Sequence, residues 1–250
     1  MRLLADAGVR VTVGESDPEA PVEREAVLEG VRAADVVLSL LTEAVDRELL
    51  EAGERLRGVA NYAVGYDNVD VAAATELGIP VSNTPGVLTD TTADLTWALL
   101  LASARRLAEA DRFTRAGRYR VWGPMMFLGD DVSPGGSGRR KVLGIVGFGR
   151  IGSAVARRAV GFDMEVLAHD PRHRDRVEDA GHAWVELDEL LERSDFVCLH
   201  PPLTDETRHL IGEDELRRMK PSAHLINVSR GPVVDEAALV RALREGWIGG

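Results

Sequence analysis

Two stretches of this 250-residue chain carry residue types at spacings that suit a single piece of chemistry. In the first, Lys141-Val142-Leu143-Gly144-Ile145-Val146-Gly147-Phe148-Gly149-Arg150-Ile151-Gly152, an apolar β-branched run leads into G-x-G-x-x-G, and good helix formers follow from Ser153 to Ala159. Strand, tight turn and helix in that order leave backbone amides free at a helix N-terminus, where phosphate charge is stabilised. Gly147 permits the turn, Gly149 lets a pyrophosphate approach the backbone, and Gly152 lets helix and strand pack closely. The second stretch, Met164-Glu165-Val166-Leu167-Ala168-His169-Asp170, reads as a strand ending in an acid about twenty residues on, where an acceptor for ribose hydroxyls belongs. Together they read as a dinucleotide site.

Composition narrows the alternatives. The formal charge of −11 argues against sequence-independent binding to nucleic acid or anionic membrane. No apolar run approaches the ~18–20 residues of a membrane span, and the opening Met1-Arg2-Leu3-Leu4-Ala5-Asp6 does not read as a signal peptide. Cys198, the single cysteine, rules out an intramolecular disulfide and fits a reducing cytoplasm. Its setting, Phe196-Val197-Cys198-Leu199, marks it as a buried hydrophobe rather than a nucleophile.

The elements that must position these residues alternate between strand and helix patterns. Residues 1–8 read as the end of a helix capped by Gly8, residues 9–13 as an alternating strand, and 15–21 as an acidic, proline-marked loop. A parallel αβ domain normally begins with a strand, so the chain reads as starting in mid-unit. Next come a helix to about residue 31, a buried strand over 35–40, a helix over 46–51, a strand over 56–61 and the loop 62–69. Asp70 caps a helix stopped by Gly78, and 79–83 is a short strand. The longest helical pattern, 91–114, suits a connection between domains with a face for a partner subunit. Residues 117–140 are irregular; they hold a compact apolar cluster of Trp122, Met125, Met126, Phe127 and Leu128, then a Gly/Ser-rich loop at 133–138. Beyond the nucleotide unit, strands over 183–185, 195–200 and 224–228 alternate with helices over 188–193, 214–219 and an Asp235-capped segment ending near Gly246. An offset of roughly 160–168 residues relates the halves, Ala34-Asp35-Val36-Val37-Leu38 matching Ser194-Asp195-Phe196-Val197-Cys198. The fold predicted is α/β, two doubly wound parallel-sheet domains in tandem over 1–90 and 91–250, with a ligand cleft between them.

Five stretches, in order along nearly the whole chain, carry a family resemblance: Asn61-Tyr62-Ala63-Val64-Gly65-Tyr66-Asp67-Asn68-Val69-Asp70, Val81-Ser82-Asn83-Thr84-Pro85-Gly86-Val87-Leu88-Thr89-Asp90, the Gly147 turn, His200-Pro201-Pro202-Leu203-Thr204, and Ile226-Asn227-Val228-Ser229-Arg230-Gly231. The chain resembles the D-isomer-specific 2-hydroxyacid dehydrogenases, and within them the glyoxylate and hydroxypyruvate reductases. The resemblance implies hydride transfer between NAD(P)H and a small 2-oxo acid, on a flavodoxin-like substrate domain and a Rossmann NAD(P)-binding domain. Arg230 then stands as the catalytic arginine, its planar fork suited to the carboxylate and the developing alkoxide. Val64 and Gly65 stand as backbone donors to the substrate carboxylate, and Asn83 and Thr84 as structural residues at a strand end. The implied cofactor contacts are Thr92, Gly147, Phe148, Gly149, Arg150, Ile151, Gly152, His169, Asp170, Pro171, Pro202, Thr207, Val228, Ser229 and Arg230, with no metal. Asp170 repels a 2′-phosphate and favours NAD, while Arg172 and Arg174 keep NADP open. A homodimer formed through the 91–114 helix and the apolar cluster, in the cytoplasm, completes the implied picture.

The resemblance also implies a histidine acid/base with a glutamate partner, both beyond the segment Gly246-Trp247-Ile248-Gly249-Gly250. None of the six histidines is expected to replace it: His200 lines the nucleotide pocket, His169 sits at the ribose, and His173, His182, His209 and His224 read as solvated loop or helix-edge residues. The substrate domain is expected to lack its first strand and its C-terminal helix, and the nucleotide domain to be cut short, so the chain reads as a fragment that binds nucleotide and turns over poorly. The alternatives are a phosphoglycerate dehydrogenase-like enzyme, for which the 62–68 loop offers no extra basic group, a dinucleotide-sensing corepressor, and an inactive remnant.

Overall fold

A computed structural model describes residues 2–13 and 22–250 (the side chain of Arg2 excepted), so the loop expected at 15–21 lies outside the described residues. Two compact units divide the chain, Met1–Pro85 and Gly86–Gly250.

The N-terminal unit contains α1 (Arg2–Asp6), α2 (Arg24–Arg32), β1 (Val37–Ser39), α3 (Arg47–Ala52), β2 (Val59–Asn61), α4 (Val71–Glu76) and β3 (Val81–Ser82). The three strands are parallel and lie in sequence order, with Val37 opposite Val59 and Val59 opposite Val81. Side chains of that register point to one face and pack with Leu28 and Val31 of α2, Leu49 and Leu50 of α3, and Ala73 and Ala74 of α4. Asp46 and Asp70 cap α3 and α4, accepting from the amides of Leu49 and Ala73 at 3.0 and 2.8 Å. Gly8 ends α1 with φ +75°, as its capping role requires.

Two expectations for this unit need correction. Residues 9–13 are not a strand: they join no sheet among the described residues, and Val9, Val11 and Val13 are exposed. Alternation alone does not make a strand where no edge receives it. Nor is β1 buried on both faces, since Leu38 is 64% exposed and Val36 and Leu40 are also open.

The C-terminal unit begins with α5 (Thr89–Ala104) and α6 (Leu107–Arg115). It continues through β4 (Val142–Val146), α7 (Arg150–Ala159), β5 (Glu165–His169), α8 (Arg174–Asp179), β6 (Ala183–Trp184) and α9 (Leu187–Arg193). The last elements are β7 (Phe196–Leu199), α10 (Glu213–Arg218), β8 (His224–Asn227) and α11 (Glu236–Glu245). The five strands are parallel in the order β6-β5-β4-β7-β8, which reverses direction between β4 and β7. This is the doubly wound arrangement, and its switch point is where ligands settle. On one face Leu143, Ile145, Val166, Phe196 and Cys198 pack with Trp97 and Leu100 of α5 and with Ala154, Val155 and Ala156 of α7. On the other, Val142, Val146, Leu167, Val197 and Leu199 pack with Leu190 and Leu191 of α9, Leu216 of α10, and Ala238 and Ala242 of α11. The strand period of two thus serves both layers. Burial of Cys198 pushes its thiol pKa up, as suits an inert core residue.

The single helix expected over 91–114 is two. It breaks at Arg105 and Arg106, where Arg106 takes φ +53°. Within the apolar cluster at 122–128, Trp122 and Met125 are more than two-thirds exposed.

Candidate dinucleotide and substrate site

The glycine turn sits at the sheet's switch point. Gly147 holds φ +89°, and a Cβ there would stand 2.8 Å from the carbonyl carbon of His200 at the end of β7. A Cβ on Gly152 would fall 2.2 Å from the carbonyl oxygen of Gly147, so only hydrogen lets α7 start this close to β4. Gly149, at the N-cap of α7, offers no side-chain cap, and a Cβ there would meet nothing within 4 Å. The first amides of a ten-residue helix therefore open onto free space, the cradle a pyrophosphate fits.

Asp170 lies just past β5. Its Oδ2 accepts from the Phe148 amide at 2.8 Å and from His173 Nδ1 at 3.1 Å, while Oδ1 accepts from the Arg172 amide at 2.9 Å. Burial opposes its charge, but those two amides and His173 outweigh it and hold the carboxyl below the usual aspartate range. Asp170 thus ties the glycine turn to the β5 end. Trp184 Nε1 donates to the Asp170 carbonyl at 3.0 Å, and His169 Nδ1 lies 3.0 Å from the Val185 carbonyl oxygen.

At the end of β7, His200 is nearly enclosed, and its Nε2 has no partner among the described residues. Burial alone drives its pKa down to about 4, so the ring is neutral at ordinary pH and is no store of protons. A buried, unpartnered nitrogen beside the phosphate turn is a group that a bound ligand can satisfy. On the following loop Thr207 Oγ1 accepts from the Thr204 amide at 2.8 Å and donates to the Pro202 carbonyl.

Arg230 follows β8 on the same carboxyl edge of the sheet. Asn227 shapes this loop: its Nδ2 donates to the Arg230 carbonyl at 2.8 Å, while its Oδ1 accepts from the amide and hydroxyl of Ser229. Arg230 Nη1 donates to the Ser229 carbonyl at 3.0 Å, and Val228, Ser229 and Arg230 are all half-buried. Thr92 lies in the first turn of α5, also half-buried, whereas Pro171 and Pro202 are exposed.

In the N-terminal unit, Val64 and Gly65 lie on a loop held by three asparagines. Asn61 Nδ2 donates to the Gly65 carbonyl at 2.9 Å, Asn83 Nδ2 to the Val64 carbonyl at 2.8 Å, and Asn68 Nδ2 to the carbonyls of Leu40 and Glu43. The Thr84 amide donates to the Ala63 carbonyl, which fits the structural part expected of Asn83 and Thr84.

Of these braces the sequence reading gave a structural role to Asn83 and none to Asn61 or Asn68; a polar side chain at a strand end followed by a loop is the available signal. The histidines were read less well. His224 is buried at the start of β8, with Nδ1 2.7 Å from Ser103 Oγ and Nε2 3.3 Å from Asp130, because a strand start under α5 is shielded from solvent. His182 is half-buried, packs edge-on to Phe148, and has its pKa lowered by burial. His173 is bound to Asp170, and only His209 is exposed as expected.

The family described as D-isomer specific 2-hydroxyacid dehydrogenase, NAD binding domain, matches residues 97–250. The chain belongs to the D-isomer specific 2-hydroxyacid dehydrogenase family. Among relatives, the glyoxylate reductase of Korarchaeum cryptofilum is 57% identical over 234 residues, 93% of this chain and 69% of that protein. The glyoxylate reductase of Thermococcus onnurineus is 52% identical over 239 residues, 94% of this chain and 70% of that protein. Among solved structures, the TT0316 protein of Thermus thermophilus is 40% identical with a TM-score of 0.86, covering all of this chain and 76% of its own. The α/β fold with parallel sheets and an NAD-binding domain therefore stands on both geometry and kinship. No described helix is long and apolar enough to cross a membrane.

Proposed function

We propose that the chain serves the reduction of glyoxylate, or a 2-oxo acid of similar size, to the 2-hydroxy acid. Its parallel sheet carries the uncapped glycine turn, with Asp170 behind it, and the Arg230 loop on one carboxyl edge, and this common edge is the observation that carries the reading. When bound, reduced nicotinamide dinucleotide supplies the hydride. Arg150 and Ile151 lend amides to the pyrophosphate, Asp170 fixes the turn that presents them, and Thr92, His169, Pro171, Pro202, Thr207, Val228 and Ser229 line the rest of the cofactor pocket. Arg230 holds the substrate carboxylate and polarises the ketone oxygen, stabilising the alkoxide as it forms, and water supplies the proton that completes the hydroxyl. Val64 and Gly65 are proposed as substrate-binding residues of the N-terminal unit, on a loop braced by Asn61 and Asn83. The similarity to glyoxylate reductases favours a two-carbon acid over bulkier ones.

Binding tests this directly. NADH titrated by fluorescence should saturate the chain, and oxamate, a stable mimic of a 2-oxo acid, should then bind. Arg230→Ala should weaken oxamate by at least about tenfold and leave NADH within about threefold, as loss of a charge-assisted fork predicts. Oxamate affinity unchanged in that variant would remove Arg230 from the substrate site.

The same proposal includes a cytoplasmic homodimer. The apolar residues Leu95, Leu99, Leu107, Val121, Trp122 and Met125 are exposed along α5, α6 and the segment after them, a patch suited to a second copy. Light scattering at a mass of one chain would count against it.

A further inference from the structure

The Asp170 neighbourhood contains a titratable group for which binding of the dinucleotide assigns no task. His173 Nδ1 is 3.1 Å from Asp170 Oδ2, and its side chain is 39% exposed. Asp170 is ionised and only accepts, so Nδ1 carries the hydrogen of this contact. That leaves Nε2 as the chemically adjustable atom. In the neutral ring Nε2 accepts a hydrogen bond; in the imidazolium it donates one and adds a positive charge beside Asp170.

The two nicotinamide dinucleotides differ at a group of this kind. A 2′-hydroxyl donates to an acceptor and is indifferent to charge, whereas a 2′-phosphate only accepts and is repelled by an uncompensated carboxylate. We propose that His173, oriented by Asp170, makes the chain's choice between NADH and NADPH depend on pH, with acid favouring NADPH. The neutral ring leaves Asp170 uncompensated and offers an acceptor to the 2′-hydroxyl; the protonated ring offsets Asp170 and offers a donor to the 2′-phosphate. The inference rests on the reading of the β5 end as the ribose site.

The surrounding charges support a balanced site rather than one fixed for either cofactor. Arg172 is exposed, makes no ion pair among the described residues, and acts at a distance on Glu206 of the 204–207 turn. Arg174 is committed elsewhere, bound to Glu178 at 2.8 Å and laid over the Trp184 ring at 4.7 Å. Asp175 opens α8 beside it, and Arg150 begins α7 across the turn. β6, packed on α8, contributes Trp184 and no titratable side chain, and His182 just before it faces Phe148. Asp170 and the exposed Arg172 therefore carry opposite charges at the β5 end, and protonation of His173 would make their local sum positive.

Dissociation constants of NADH and NADPH are measured by fluorescence titration from pH 5.5 to 8.5, on the unaltered chain and on His173→Asn. Asparagine keeps a donor to Asp170 and cannot take up a proton. The 2′-phosphate loses its last proton near pH ~6, in the same range, so the variant is the necessary reference. In the unaltered chain Kd(NADPH)/Kd(NADH) is expected to fall about tenfold from pH 8.5 to 5.5, and in His173→Asn by less than about threefold, as removal of one partly screened charge predicts. The ¹H–¹⁵N signal of the His173 imidazole should respond differently to the two cofactors. Equal pH dependence in both proteins, with NADH still bound, overturns the inference about His173. Failure of NADH to bind at all overturns the ribose-site reading with it.

Discussion

Asp35 and Asp195 occupy matching positions at the head of a strand in the two units, yet they do opposite things. Asp35 is exposed and meets Arg55 at 3.0 Å across open solvent. Asp195 is buried, accepts from the Val142 amide at 2.9 Å, and is paired with Arg139 and Lys220. The strands that follow differ likewise. β7 is buried at every residue, while β1 is buried on the face toward α2 and α3 and open at Leu38. The same local pattern therefore yields a structural tie in one unit and a surface pair in the other. The difference lies in how many layers cover the sheet, two against one.

Substitutions at matched sites test that contrast, beginning with the glycines. Gly152→Ala should abolish measurable NADH binding, a loss beyond about a hundredfold, because the new methyl collides with the Gly147 carbonyl and displaces the turn. Gly58→Ala in the N-terminal unit, where a Cβ would make only ordinary contact with Pro80, should change melting by less than about 1 kcal/mol. Next come the aspartates: Asp195→Ala should cost about 3–5 kcal/mol in urea unfolding, and Asp35→Ala less than about 1 kcal/mol. Equal losses would mean that the two units are covered alike.

The core leucines should rank below these. Leu199→Ala, at a fully buried site, is expected to cost about 3 kcal/mol, against about 0.5 kcal/mol or less for Leu38→Ala. Acid gives the most specific effect. His200 has a folded pKa of about 4, so between that value and an ordinary imidazole's ~6.5 the unfolded chain binds more protons than the folded one. Its contribution is present above pH ~6.5 and is lost as pH falls through about 4; from pH 7 to 5 the loss should be about 2 kcal/mol, and His200→Leu should remove it. Asp195, whose pKa is lowered by Arg139, the Val142 amide and Lys220 against the opposing effect of burial, adds a loss that begins only below an unfolded aspartate's ~3.9. The two are separable by where on the pH axis they act.

Much of the nucleotide unit was legible because its signals are local. Glycine spacing, the capping Asp235 and short β-branched runs all act within a few residues, and each appears where expected, as does the capping Asp70 of the N-terminal unit. The misreadings share a non-local cause. Residues 9–13 alternate like a strand but find no edge; 91–114 has one helical rhythm but breaks at Arg106; His224 looks polar and is enclosed by α5. Asp170 was placed correctly at the end of its strand, and its three donors were not foreseen, since Phe148 and His173 reach it only through the fold of the turn.

By itself, then, the sequence determined the order of strands and helices, the open helix N-terminus behind Gly149 and the position of Arg230 after β8, because period, caps and turn glycines are properties of neighbouring residues. The tertiary structure alone decided which apolar faces are covered, which aspartate is buried, and that Asp170 is tied to the glycine turn. Burial and hydrogen-bond partnership are set by residues distant in the chain, and no local pattern records them.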